Sequence, residues 1–220
     1  MKNKYAILMI DLSGYTALTQ VHGALSAFKT IKSFEKIANS SLIGQSKIME
    51  RVGDELLIIS PDVLDIALTA LKIQEQSRDK SEFLLTHSGI HYGEVIIMGH
   101  SLFGSAINIT SRISGLAKEN EILCSMEFIQ MLPNSKKFTT RELGRFQFRN
   151  LFTDTTVYSL SKPMPKKVLK DSIIDPVCKM IIGIQDIKLK KVYGEDTYHF
   201  CSTDCMHLFD KGAERFIGQH

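Results

Sequence analysis

Tyr5-Ala-Ile-Leu-Met-Ile-Asp11-Leu-Ser-Gly14-Tyr-Thr16 is apolar almost to its end, where it meets an aspartate and then a Ser-Gly break. An apolar run of this length closed by turn residues predicts a buried strand with an acidic group at its mouth. Beyond it, from 16 to about 40, Leu25, Phe28, Ile31, Phe34, Ile37 and Ala38 recur at steps of three and four, the buried stripe of a helix. Residues 45–51 and 55–60 read as two strands joined by Val52-Gly53-Asp54, a hairpin with a second acidic group at its tip. Pro61-Asp62 opens another helix, capped by Asp62, with Val63, Ile66, Ala67, Leu71 and Ile73 turned inward.

Further along, 83–91 and 94–98 read as a strand pair turning at Tyr92-Gly93. A helix over 106–118, a strand over 121–125 and a hairpin over 141–160 follow. The order predicts an α+β fold, a ferredoxin-like βαββαβ sandwich with helices on one face of a mainly antiparallel sheet. Composition then changes. The stretch 161–172 carries two prolines and four lysines with little to bury and reads as a linker. Three domain-level units result: 1–160, the linker 161–172, and a small unit over 173–220.

The 220 residues, 44% hydrophobic and 23% charged, suit one full core with an appendage. A net charge of +3 with dispersed lysines and arginines gives no concentrated basic face for nucleic acid. The apolar run before Asp11 is too short for a membrane span or a signal-peptide core, so the expected location is the cytoplasm. Three of the four cysteines fall near the C-terminus, which in a reducing compartment favours metal ligation over disulfides.

Asp11 and Asp54 are placed to converge at one edge of the sheet, although each alone reads equally as a cap or a turn-former. Two carboxylates brought together repel unless a cation lies between them, and hard oxygen donors suit magnesium or manganese. Their context adds to this. Ile7-Leu-Met-Ile-Asp11-Leu-Ser-Gly14-Tyr-Thr16 and Glu50-Arg-Val-Gly53-Asp54-Glu-Leu-Leu57 resemble the first two motifs of class III adenylate and guanylate cyclases. In sequence order, Gly89-Ile-His91-Tyr-Gly93, Asn108-Ile-Thr-Ser-Arg112 and the closing hairpin from Glu142 to Leu160 resemble three more.

That resemblance implies two Mg²⁺ or Mn²⁺ ions held by Asp11 and Asp54 over a nucleoside triphosphate. It also implies a homodimer in which Asn108 orients the ribose and Arg112 stabilises phosphate charge from across the interface. Glu50 and Ser101 occupy the purine-reading positions; Glu50 tilts toward GTP, Ser101 decides nothing, and ATP and GTP both stay open. Arg149 occupies the basic position of the closing hairpin, where phosphate contact and a plain surface role are both open. Departures from the pattern are His87 in place of an arginine and Asn150 in place of a glycine.

Asp175-Pro-Val-Cys178-Lys-Met180 with Tyr198-His-Phe-Cys201-Ser-Thr-Asp-Cys205 resembles a YHS domain, a relative of TRASH-type modules. Its Cys-x22-Cys-x3-Cys spacing lets Cys178, Cys201 and Cys205 reach one Zn²⁺ or Cu⁺ ion. The fourth ligand is open among His199, His207, Asp175, a water or none. His22, His100 and His220 read as solvated, His91 as packed, and Cys124 as an inert core thiol. Two functions follow: a homodimeric cyclase making a 3′,5′-cyclic nucleotide and pyrophosphate, tuned by its C-terminal domain, or a non-catalytic nucleotide- and metal-binding scaffold.

Overall fold

A computed structural model describes residues 3–99, 101–149, 151, 153–163 and 172–217. Strand β1 (Asn3–Leu12) runs through the middle of the molecule with residues 6–10 buried, as its unbroken apolar sequence requires. Helix α1 (Tyr15–Ser41) follows, then the hairpin β2 (Lys47–Val52) and β3 (Glu55–Ser60), helix α2 (Val63–Arg78) and strand β4 (Thr86–Met98). β1 pairs antiparallel with both β3 and β4, giving the order β2-β3-β1-β4 expected of a ferredoxin-like unit. Asp62 caps α2 as anticipated, accepting from the Leu64 amide at 2.8 Å.

Beyond β4 come β5 (Ser101–Phe103), α3 (Ser105–Ser114), β6 (Ile122–Ser125), a short α4 (Met126–Met131), β7 (Thr139–Phe146) and β8 (Thr155–Ser161). β6, β8 and β7 extend the sheet on the far side of β4, with β6 parallel to it. The small C-terminal unit has β9 (Ser172–Ile174), β10 (Ile181–Gly183), β11 (Leu189–Tyr193), β12 (Asp196–Phe200) and α5 (Thr203–Asp210). Most of the anticipated linker, residues 164–171, lies outside the described residues, as do His100, Asn150 and His220.

Three expectations are corrected. The helices do not all share one face. Ala6, Leu8, Ile10 and Leu12 of β1 meet α1 and α2, while Ile7 and Met9 meet Ala106 and Ile107 of α3 on the opposite side. Strand alternation supplies both surfaces, because β1 is apolar at odd and even positions alike.

Tyr92-Gly93 is not a turn, since β4 runs unbroken through it and folds back only at its end to meet β5. Gly89 and Gly93 serve α3 instead. A Cβ on Gly89 would collide with the backbone of Ser114, and one on Gly93 would sit 2.8 Å from the Ala106 Cβ. The two glycines are therefore the groove that lets α3 lie directly on β4.

Finally, the α1 stripe is interrupted. Ile31, Phe34 and Ala38 are buried, but Leu25 and Phe28 are 68% and 58% exposed, because the buried stripe of that segment runs through Ala27, Thr30, Ile31, Phe34 and Ala38 and leaves them on the outer face.

Candidate catalytic and metal sites

The end of β1 and the β2–β3 turn bring Asp11 and Asp54 together. Their carboxyl groups lie close enough to hydrogen-bond when one of them is protonated. Burial pushes both up, and for Asp54 the bond to Asp11 and repulsion from its charge carry it to about 7. The Leu12 amide donates to Asp11 Oδ1 at 2.9 Å and holds the carboxylate in place.

Glu55 adds a third acid, raised first by burial and then by the charges of Asp54 and Glu50. Oxygen donors of like charge, half-buried at one strand end, are the donor set that a hard divalent ion satisfies. Mg²⁺ or Mn²⁺ therefore fits these residues.

His87 belongs to this site, although the sequence marked it only as a departure from a pattern. It stands opposite Asp11 in the β1–β4 register, with Nε2 3.9 Å from Asp11 Oδ2 and Nδ1 3.1 Å from Ser13 Oγ. Burial lowers its pKa, which keeps the ring neutral beside the acids. Strand pairing was the signal that could have found it, since a β1–β4 hairpin-like register sets one residue across from another.

Glu50 lies exposed on β2, just past a bulge that shifts the register between Ile48 and Glu50. Ser101 is exposed on β5, which approaches β2. Asn108 and Arg112 are exposed on α3, four residues apart on one helix face. Neither hydrogen-bonds nor ion-pairs among the described residues, and neither is among the groups that shift Asp11 or Asp54. Arg149 is exposed in the connection of the β7–β8 hairpin. His91 is buried and bonded to Ser125 Oγ at 2.8 Å, the packing role expected of it. Cys124 is fully buried, and burial pushes its thiol up, consistent with an inert core residue.

In the C-terminal unit Cys178, Cys201 and Cys205 converge. Sγ atoms of Cys178 and Cys201 lie 3.4 Å apart, and those of Cys201 and Cys205 3.7 Å. Contact with Cys178 and Cys201 lowers the Cys205 thiol from its usual range. Asp175 is buried beneath them and accepts from the amides of Val177, Cys178 and Cys201, which shapes the loop and leaves the carboxylate unavailable as a fourth donor.

The fourth donor beside the cysteines is His22. This corrects its reading as a solvated side chain. His22 Nε2 is 3.5 Å from Cys201 Sγ and 3.7 Å from Cys205 Sγ, and all four candidate ligand atoms lie within 4.8 Å of one another. His199 and His207 stand outside this group.

The two units touch along a continuous seam. Glu82 donates its amide to Ile181 O at 3.0 Å, Ile181 donates to Phe83 O at 2.8 Å, and Leu84 bridges Met180. A Cβ on Gly14 would collide with the Lys179 side chain, and Val21 joins the apolar cluster around Phe200 and Phe209. No helix among the described residues is long and apolar enough to cross a membrane.

Comparison with known proteins agrees with this architecture. The family described as the adenylate and guanylate cyclase catalytic domain matches residues 1–162, and the YHS domain matches residues 173–220. Among curated relatives, a pH-sensitive adenylate cyclase of Mycobacterium tuberculosis is 21% identical over 159 residues, 71% of this chain and 40% of that protein. An adenylate cyclase of Streptomyces griseus is 27% identical over 124 residues, 56% of this chain and 31% of that protein. The chain thus spans well under half the length of these relatives.

Among solved structures, the guanylate cyclase domain of RhGC from Catenaria anguillulae, in complex with GTP, superposes with a TM-score of 0.64 at 18% identity. That alignment covers 74% of this chain and 98% of that one. The adenylyl cyclase CyaB of P. aeruginosa gives 0.63 at 15% identity, with 76% and 98% covered. At these identities the likeness is one of fold. The chain belongs to the family of adenylate and guanylate cyclase catalytic domains, followed here by a YHS domain.

Proposed function

We propose that this chain is a nucleotidyl cyclase that converts ATP or GTP to the 3′,5′-cyclic monophosphate and pyrophosphate as a homodimer. The observation that carries the reading is the approach of Asp11 and Asp54, two acids held so close at one strand end that the charge of one opposes ionisation of the other until a cation offsets it. When bound, two Mg²⁺ or Mn²⁺ ions would neutralise the triphosphate and lower the pKa of the ribose 3′ hydroxyl. Asp11 and Asp54 hold them.

Asn108 and Arg112 act from a second copy of the chain, Asn108 on the ribose and Arg112 on the charge that develops as the 3′ oxygen attacks the α-phosphorus. Their exposure and freedom from intrachain bonds support this division, because both groups stay available to a ligand presented by another protomer. Glu50 and Ser101 read the purine, and Arg149 contacts phosphate. The cysteines Cys178, Cys201 and Cys205 hold a Zn²⁺ or Cu⁺ ion that tunes the catalytic domain.

The test incubates purified protein with Mn²⁺ and either ATP or GTP and assays cyclic product. Product that disappears in Asp54→Ala and Arg112→Ala supports the proposal. Nucleotide binding without product in the wild type overturns it in favour of a scaffold.

A further inference from the structure

A tetrahedral zinc ion sits about 2.3 Å from sulfur and about 2.0–2.1 Å from imidazole nitrogen. Those radii put two sulfurs about 3.8 Å apart and a sulfur and nitrogen about 3.6 Å apart. The observed contacts are 3.4 and 3.7 Å between sulfurs and 3.5 and 3.7 Å from His22 Nε2 to sulfur. Four of the six edges thus already have the lengths of a zinc tetrahedron and the other two lie within 4.8 Å, with the nitrogen corner contributed by the cyclase domain.

Local structure explains how a helix residue reaches the cluster. α1 breaks immediately after His22, at Gly23 with φ 76° and ψ 173°, a conformation that glycine adopts without strain. The break frees the first turns from the rotational phase of the rest. Val21 and His22 can then face the C-terminal unit while Ala27, Ile31 and Phe34 keep facing the sheet. A cleft of 380 Å³ lined by His22, Lys29, Lys80, Cys201 and Ser202 opens onto the cluster and provides an entry path for an ion.

We infer that His22 is the fourth ligand of a Cys3His zinc site that spans the two domains and pins the YHS unit to α1. The inference rests on the proposed ligation by the three cysteines and adds a clamp to it. Zinc binding then fixes the first turns of α1, which leave β1 directly after Asp11. Four protein ligands close the coordination sphere, the arrangement of a site that holds structure rather than one that keeps a position open for substrate.

The test uses the full-length protein, stripped of metal and titrated with Co²⁺ as a spectroscopic stand-in for zinc, followed by competition with Zn²⁺. Wild type should bind one equivalent at the cysteine cluster with the visible absorption of a tetrahedral thiolate-rich site. His22→Ala and His22→Gln should each weaken binding by at least about 100-fold, more than the loss of an outer-shell partner costs, and change the spectrum. Gln keeps the side-chain length and a polar end without imidazole ligation, so it separates ligand loss from packing loss.

Hydrogen exchange on the wild type gives a second readout that needs no variant. Zinc should slow exchange over residues 15–30. Wild-type binding with unchanged affinity and spectrum in His22→Gln would overturn the clamp and leave the cysteine site standing. Failure of the wild type to bind Co²⁺ or Zn²⁺ at the cysteines would overturn both. Tight binding with no change in exchange over 15–30 would also overturn the clamp.

Discussion

The carboxyl groups of Asp11 and Asp54 face each other across the end of β1 and the β2–β3 turn, close enough to hydrogen-bond when one is protonated. Asp54 is raised from 3.8 to about 7, by burial first and by Asp11 second. Between those two values the folded chain binds a proton that the unfolded chain has lost. Metal-free stability therefore falls as pH rises through that window. Asp54→Asn removes the penalty. The half-exposed setting discounts it to about 1 kcal/mol, so at pH 8 and without metal the variant should melt about 2–4 °C higher than wild type. Calorimetry at pH 8 and pH 4 checks this, with the advantage gone at pH 4.

The same proton must leave before an ion can bind. Mn²⁺ affinity should rise up to about tenfold per pH unit below 7 and level off above it. Isothermal titration in buffers of different ionisation enthalpy should show about one proton released per site at pH 6 and close to none at pH 8. A flat affinity over that range would remove the Asp54 proton from the account.

If each catalytic site takes its acids from one protomer and Arg112 from the other, Asp54→Ala and Arg112→Ala complement each other. A heterodimer of the two has one intact site and one doubly damaged one. Mixing and re-equilibrating equal amounts of the two inactive variants should restore about a quarter of wild-type turnover, since about half the dimers are mixed and each has one of two sites. No recovery would place Arg112 in the same protomer's site or outside it.

Gly89→Ala probes the seat of α3. Its new methyl would meet the Ser114 backbone, which cannot swing aside as a side chain could, so the helix must lift. The cost should be about 1–3 kcal/mol in unfolding free energy. Turnover should fall more than stability alone explains, because Asn108 and Arg112 ride on the displaced helix.

Glu50 offers a test of base choice. Replacing its acceptor carboxylate with a donor, Glu50→Lys, should move the ratio of kcat/KM values toward ATP, read by assaying both nucleotides side by side. An unchanged ratio would remove Glu50 from purine recognition.

The chain order of strands and helices was readable in the sequence because it follows from local pattern, whereas the meeting of Asp11 with Asp54 was readable only with the motifs around them. A short apolar run closed by Ser-Gly suits a buried strand, and a Gly-Asp turn between two such runs suits a hairpin tip. What escaped that reading depends on which face a residue meets. β1 is apolar on both sides, so nothing in its alternation says that α3 covers one face and α1 the other. Leu25 and Phe28 stand three residues apart like a helical stripe, but the face that is buried runs through Ala27, Ile31, Phe34 and Ala38 instead. Gly93 looks like a turn residue because the helix that occupies its missing side chain is not adjacent in sequence. His22 had no spacing signal at all, standing 179 positions from Cys201.

Residues 82–87 have a double engagement. Glu82, Phe83 and Leu84 pair with Met180 and Ile181, while Leu85 accepts from the Ser13 amide and His87 stands across from Asp11. Phe83 and Leu84 are almost wholly buried. For anyone cutting this gene into pieces, the visible boundary near residue 162 is therefore misleading. A catalytic fragment ending there would leave the backbone groups of Glu82, Phe83 and Leu84 without their strand partners, a few residues from its own active site. Its poor behaviour in solution would be mistaken for a weak enzyme.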